Sequence, residues 1–144
     1  MILSLDANVL VDLMRGKKPP FRRRWDEAQA SGTTFKLSVI ALYELRFGAY
    51  LSGRPERQHA LLDEFLPALE VEPWTAEDAA SAGLLRSRFQ PRGDTIGAYD
   101  MLIAGQALGR GWTVVTANVR EFVRVPGLRV VDWSDPAGAV EYGS

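Results

Sequence analysis

Apolar and polar positions change period several times along the chain, and the changes predict alternating strands and helices. Ile2 to Leu5 is a short apolar run ending on Asp6, the pattern of a buried strand that delivers a carboxylate at its carboxyl end. Residues 7–15 then read as a short helix closed by Gly16 and the Pro19-Pro20 break. Phe21 to Ala30 reads as a second, highly charged helix stopped near Gly32. Thr34 to Leu37 predicts a strand, and Ser38 is placed to cap a long helix reaching Gly53. Pro55 suits the first turn of a helix running to about Ala68. Leu69 to Trp74 alternates apolar and acidic residues, as a strand with one wet face does.

Thr75-Ala76-Glu77-Asp78 resembles a capping box opening a helix to about Phe89. Gln90 to Gly97 holds a proline and two glycines and predicts a loop, followed by a helix from Ala98 to Arg110 ended by Gly111. Strands are expected at Trp112–Thr116 and Leu128–Trp133. Strands alternating with helices indicate an α/β sandwich, a mostly parallel central sheet flanked by helices. Ligands bind such sheets outside the carboxyl ends of the strands. Asp6 and the Thr116-Ala117-Asn118 turn fall there. No repeat or linker divides the chain, so residues 1–144 are expected to form one domain.

Composition narrows the chemistry. With 47% hydrophobic and 24% charged residues the chain reads as an ordinary globular protein. The absence of cysteine excludes thiolate zinc sites and cysteine nucleophiles. Neither a basic, apolar leader nor a run of about 18 apolar residues is present, and a cytoplasmic location is expected. Seventeen Lys and Arg against eighteen Asp and Glu give a net charge of −1, so a polyanionic substrate would need local basic patches. Arg22-Arg23-Arg24, Arg54, Arg57, Arg86, Arg88, Arg92, Arg120 and Arg124 are available for them.

Most acids, among them Asp26, Glu27, Glu56, Glu70, Glu72 and Glu77, stand where solvent would take them. Asp6, Glu44 and Asp100 do not. Glu44 has Ile40, Ala41, Phe47 and Gly48 three and four positions away, and Asp100 has Ile96, Gly97, Ile103 and Ala104. Both are expected on the inward face of their helices. A buried carboxylate must be paired, protonated or metal-bound. If the three converge, an all-oxygen site selects Mg2+ or Mn2+, which accepts substrate phosphates and activates water. Taken singly, Asp6 could cap a helix, Glu44 could pair with an arginine, and Asp100 could favour a helix N-terminus. Asp12 is expected to face solvent beside Asn8.

Other chemistries have less to work with. His59 is the only histidine and sits among Glu56, Arg57, Gln58 and Asp63, which predicts a solvent-facing residue and no histidine pair for acid–base work. Nucleophile-elbow, Walker and dinucleotide-binding motifs are absent. Gly105, Gly109 and Gly111 are spaced for helix packing and termination. An exposed apolar patch made of Phe21, Trp25, Tyr43, Phe47, Tyr50 and Leu51 is expected, covered by a partner.

Four segments carry a family likeness. The opening L-S-L-D-A-N-V-L, the S-V-I-A-L-Y-E-L-R-F-G-A and G-A-Y-D-M-L-I-A-G-Q-A helices and the V-V-T-A-N-V-R-E-F turn resemble, in order and spacing, the PIN-domain toxins of the VapC type. Residues from Gly97 to the R-V-P-G-L-R-V-V-D-W stretch resemble the subgroup that cleaves the anticodon loop of initiator tRNA. The resemblance implies a PIN-like three-layer sandwich and an Mg2+-dependent endoribonuclease, with Mn2+ as substitute. By it Asp6, Glu44 and Asp100 are the metal-binding acids, Asn8 supports the first acid, and Thr116 supplies a supporting hydroxyl. Asn118 stands at the fourth acidic position of the family, with Glu121 one helical turn beyond and expected to face solvent. That arrangement would leave a charge of −3 and favour one tightly held metal.

The resemblance further implies an RNA substrate, tRNA in the subgroup, a homodimer, and a VapB-like antitoxin that covers the groove in a hetero-oligomer. A PIN nuclease of general RNA processing and a non-catalytic PIN-like binding module stay open as alternatives. A haloacid-type hydrolase with Asp6 as nucleophile would require an acid where Asn8 stands.

Overall fold

A computed structural model describes residues 1–89 and 96–134 together with the backbone of a strand at 140–142. Five strands run parallel in the order β3-β2-β1-β4-β5: β1 (Ile2–Leu5), β2 (Thr34–Ser38), β3 (Glu70–Glu72), β4 (Thr113–Val115) and β5 (Val130–Asp132). A sixth, β6 (Val140–Tyr142), adds antiparallel to β5. Leu3, Leu5, Leu37, Val114 and Val130 are buried, as expected for strands covered on both faces.

The chain runs outward from β1 to β2 and β3, then crosses back to β4 on the other flank of β1. The direction of winding therefore reverses between β1 and β4. Their carboxyl ends bound the crevice where ligands bind in such sheets.

The helices are α1 (Ala7–Arg15), α2 (Pro19–Ala30), α3 (Val39–Leu51), α4 (Pro55–Phe65), α5 (Ala76–Phe89), α6 (Ala98–Arg110) and α7 (Val119–Phe122). α1 ends at Gly16 with φ of 66°, a left-handed cap that glycine adopts without strain. α2 starts two residues before Phe21, because prolines fit the first helical turn. α4 stops short of Ala68 and passes into a 3-10 turn, Leu66–Ala68, because Pro67 cannot continue the hydrogen-bond ladder. Thr75 and Asp78 form the expected capping box, with reciprocal bonds of 2.7 Å from Thr75 N–H and 3.4 Å from Asp78 N–H. Gly105 allows α5 and α6 to touch: a Cβ there would lie 2.5 Å from the Ala82 Cα. Of the loop expected at Gln90–Gly97, residues 90–95 lie outside the described residues, and Ile96 and Gly97 lead directly into α6.

One expectation is corrected in the core. Phe21 and Trp25 are buried rather than part of a surface patch. The Trp25 ring stacks 4.3 Å from Phe35, which meets Trp133 edge-on at 6.3 Å. The charged residues of α2 concealed this apolar stripe. Tyr43, Phe47, Tyr50 and Leu51 are exposed as expected.

Candidate active site

Asp6 sits at the carboxyl end of β1, where its N–H still bonds to the Val115 carbonyl at 3.1 Å. Its side chain turns inward and is 4% exposed. Oδ1 accepts from the Val9 N–H at 3.0 Å, capping α1, and Oδ2 accepts from the Thr116 hydroxyl at 2.5 Å. Asp6 thus caps a helix and also fills the crevice. Burial pushes its carboxyl up, against the lowering effect of Thr116, Val9 and the Asn8 backbone. Asn8 therefore supports the first acid through its main chain, and its side chain is exposed. Thr116 is fixed in turn, its oxygen accepting from the Asn118 N–H at 2.8 Å.

Glu44 stands on α3, which begins where β2 ends and is capped by the Ser38 hydroxyl, 3.2 Å from Ile40 N–H. The buried stripe of α3 is Ala41, Leu45 and Ala49. Glu44 lies one residue off it, half-buried, and Phe47 and Gly48 are exposed, so the expected inward face is corrected to the rim of the crevice. Burial raises the Glu44 carboxyl, and the charge of Asp6 raises it further.

Asp100 lies half-buried in the first turn of α6. Its carboxyl is pushed up to about 7 by burial, then by a hydrogen bond to Glu121 and the charges of Glu121, Asp6 and Glu44. Glu121 corrects an expectation. Instead of facing solvent it is turned into the crevice, accepting from the Gly97 N–H and, at 2.5 Å, from the Asn118 amide. Burial acts to raise its carboxyl, but the Gly97 N–H, Asp100 and Asn118 hold it below the usual range. Each acid acts on the other, raising Asp100 and lowering Glu121, so a proton bound by the pair favours Asp100. The Asn118 amide also reaches Asp100 at 3.4 Å, so it bridges the pair. Phe122, fully buried on the one-turn helix α7, fixes the rotation that points Glu121 inward.

The crevice therefore gathers four carboxylates, Asp6, Glu44, Asp100 and Glu121, one more than the three on which the expectation of a single metal was built. Among the described residues, Lys and Arg form no ion pair with the first three. No three acids already converge at coordinating distance among the described residues. Carboxylates that repel one another stand apart until a cation draws them in. The donor set, all oxygen and rich in negative charge, fits Mg2+ or Mn2+ and does not fit a soft metal.

Three other assignments change. His59 is half-buried, its Nδ1 accepting from Arg46 at 2.9 Å and its ring 4.3 Å from Tyr50. Glu70 and Glu72 are paired rather than merely solvated: Lys36 bonds both, and Arg110 reaches Glu72 at 3.1 Å. Asp78, read only as part of a cap, is 2% exposed and held by Arg110 at 2.7 Å and Gln106 at 3.2 Å. Asp12, expected to face solvent, is instead half-buried, paired with Lys18 at 3.2 Å and near enough for its charge to raise Asp6.

Residues 3–128 match the PIN domain family. The chain belongs to that family. It is 37% identical over 129 residues to the tRNA(fMet)-specific endonuclease VapC of Salmonella typhimurium, covering 90% of this chain and 96% of that one. To ribonuclease VapC2 of Rickettsia felis it is 35% identical over 133 residues, covering 92% and 98%. VapBC2 of Rickettsia felis bound to a promoter DNA fragment superposes with a TM-score of 0.86 at 32% identity, over 92% of this chain and 99% of that one. DNA-bound VapBC of Salmonella typhimurium gives 0.84 at 36% identity, over 92% and 98%. Within the PIN family the chain thus groups with the VapC ribonucleases.

Proposed function

We propose that the protein is a divalent-cation-dependent endoribonuclease, the toxin of a toxin–antitoxin pair, and that initiator tRNA is its substrate. The observation that carries the reading is the crowding of Asp6, Glu44, Asp100 and Glu121 at the carboxyl ends of β1 and β4, with raised carboxyls on the first three. Perturbed acids in a cleft mark a functional site when no structural ion pair accounts for them. The identity to VapC relatives supplies the reaction class.

Asp6, Glu44 and Asp100 would hold the ion, with Glu121 within reach of Asp100. A divalent ion held there would supply charge to offset a phosphodiester and would favour ionisation of an attacking water. The rest of the work belongs to the chain. Thr116 and the Val9 N–H fix both Asp6 oxygens, so that carboxylate meets its ligand without reorienting. Asn118 keeps Asp100 and Glu121 in register. A cation held there would compete with the proton that Asp100 favours.

Tyr43, Phe47, Tyr50 and Leu51 are 53–71% exposed on α3, and we assign this surface to protein contacts, those of a homodimer and of a VapB-like antitoxin. By analogy with the DNA-bound VapBC complexes, the toxin–antitoxin assembly would bind its own promoter. The test is cleavage of initiator tRNA and of elongator methionine tRNA by purified protein with Mg2+, with EDTA, and after Asp100→Asn. Cleavage of initiator tRNA alone, lost in EDTA and in the variant, is expected. Equal cleavage of both tRNAs removes the substrate assignment, and undiminished cleavage by the variant removes the site.

A further inference from the structure

A groove of about 640 Å3 runs beside the crevice between α1, α3 and α4, and Glu44 and Asn8 stand in its wall. Four cations line it: Arg15 and Lys17 from the end of α1, Arg54 and Arg57 from the start of α4. All four are exposed. Among the described residues none of their side chains has a hydrogen bond or an ion pair. Their neighbours outside the groove differ. Lys18, next to Lys17, is paired with Asp12 at 3.2 Å, and Arg46 on α3 is paired with Asp63 at 2.8 Å. The chain neutralises cations on both sides of the groove and leaves four unneutralised inside it.

Four like charges around one concavity outnumber the single acid in its wall, Glu44, and make it a favourable place for an anion. The proposed reaction supplies one. A phosphodiester cut at Asp6, Glu44 and Asp100 is one link of a polyanion, and the phosphates next to it must lie close to the acids. Glu44 belongs at once to the acid crevice and to the groove wall, so a strand leaving the crevice past Glu44 enters the groove directly.

We propose that this groove is the track for the RNA strand on one side of the cleaved bond, with Arg15, Lys17, Arg54 and Arg57 holding its phosphates. The proposal rests on the ribonuclease reading above. Contacts of this kind position a strand without reading its bases. The groove therefore sets affinity and register and contributes little to the choice of sequence. Its floor of Val11, Met14 and Leu61 leaves the sugar and base edges against aliphatic carbon.

The experiment measures binding of a labelled single-stranded oligoribonucleotide to the full chain in EDTA, where cleavage is suppressed, by fluorescence anisotropy across a salt series. Lys17→Ala, Arg54→Ala and Arg57→Ala are each expected to weaken binding by a similar factor for different RNA sequences. Each should flatten the slope of log affinity against log salt by roughly 0.7, and Arg54→Lys and Arg57→Lys should restore it. Arg86→Ala and Arg88→Ala on α5, outside the groove, are expected to leave the slope unchanged. Equal losses from the groove and α5 variants would reduce the effect to net charge and overturn the assignment. So would groove variants that bind RNA normally but lose affinity for an acidic peptide, which would give the groove to a protein partner. In either case loss of cleavage by Asp100→Asn in Mg2+ would leave the ribonuclease reading standing, so the two claims fail separately.

Discussion

Two acid clusters in this molecule face opposite electrostatic conditions. Beside β3, Asp78, Glu72 and Glu70 meet Arg110 and Lys36. Burial acts to raise Asp78, yet Arg110 and Thr75 hold its carboxyl below the usual range, and Lys36 does the same for Glu72. At the ends of β1 and β4, Asp6, Glu44 and Asp100 meet Thr116, Asn118 and other acids, and burial pushes all three up. The side chains are of one kind and only the partners differ. With seventeen cations in the chain, the sequence does not lack the means to neutralise the crevice. The first cluster is complete as folded, and the second has no cation partner among the described residues, which is why we propose a divalent ion there.

Exchanging the acids of the two clusters for neutral isosteres should have opposite consequences. In the crevice, Asp6→Asn, Glu44→Gln and Asp100→Asn are each expected to lower RNA cleavage by about 10³-fold, the range for loss of a group that stabilises developing charge. In EDTA the same variants should melt no lower than the parent, and Asp100→Asn higher by about 1 kcal/mol, because repulsion is relieved. Beside β3, Asp78→Asn leaves the Arg110 charge without its buried partner and should cost about 3 kcal/mol in urea denaturation, with the cleavage rate per folded molecule unchanged. A crevice variant that loses that much stability would make its acid structural.

The pH dependence separates the clusters next. Asp100 binds its proton more tightly folded, with a pKa of about 7, than at the ordinary value of 3.8. Its contribution to stability is present below that ordinary value and is lost as pH rises through about 7. Asp78 and Glu72 are lowered, so theirs is present above the ordinary values of 3.8 and 4.5 and is lost only as pH falls below them. The metal-free protein is therefore expected to melt higher near pH 5 than near pH 8. Mn2+ or Asp100→Asn should reduce the difference, leaving the smaller share of Asp6 and Glu44 in the variant, and a melt that rises over that window would contradict the assignment. The smallest effect is within the crevice. Glu121→Gln should lower the Asp100 pKa from about 7, read by NMR of the carboxyl carbon, because the hydrogen bond and charge of Glu121 raise it. An unmoved value would take Glu121 out of the site.

Much of this was legible in the chain. The apolar run Ile2–Leu5 ending on Asp6, the Ser38 cap and the Gly111 stop all report local physics, and the elements follow them closely. The strand-end position of Asp6 and the apolar neighbours of Asp100 pointed to the crevice, whereas Glu44 reaches it from the rim, with Phe47 and Gly48 exposed. What was missed depends on rotation about short elements and on distant partners. Glu121 turns inward because Phe122 is buried, and a four-residue helix has no periodicity from which to read that. Asp78 looked like an ordinary cap because Arg110 stands 32 positions away. Trp25 and Phe21 were hidden by the charges of α2, although their i, i+4 spacing was the available signal.

A divalent cation bound among the crevice acids would have to displace whatever proton Asp100 carries, given its pKa of about 7. Calorimetric titration of Mn2+ near pH 6.5, repeated in buffers of different ionisation enthalpy, counts the protons displaced as the ion binds. The account predicts binding with close to one proton released by the parent protein, and weaker binding with almost none released by Asp100→Asn. Binding of equal strength and equal proton release in the two proteins, or no binding to the parent at all, would contradict it.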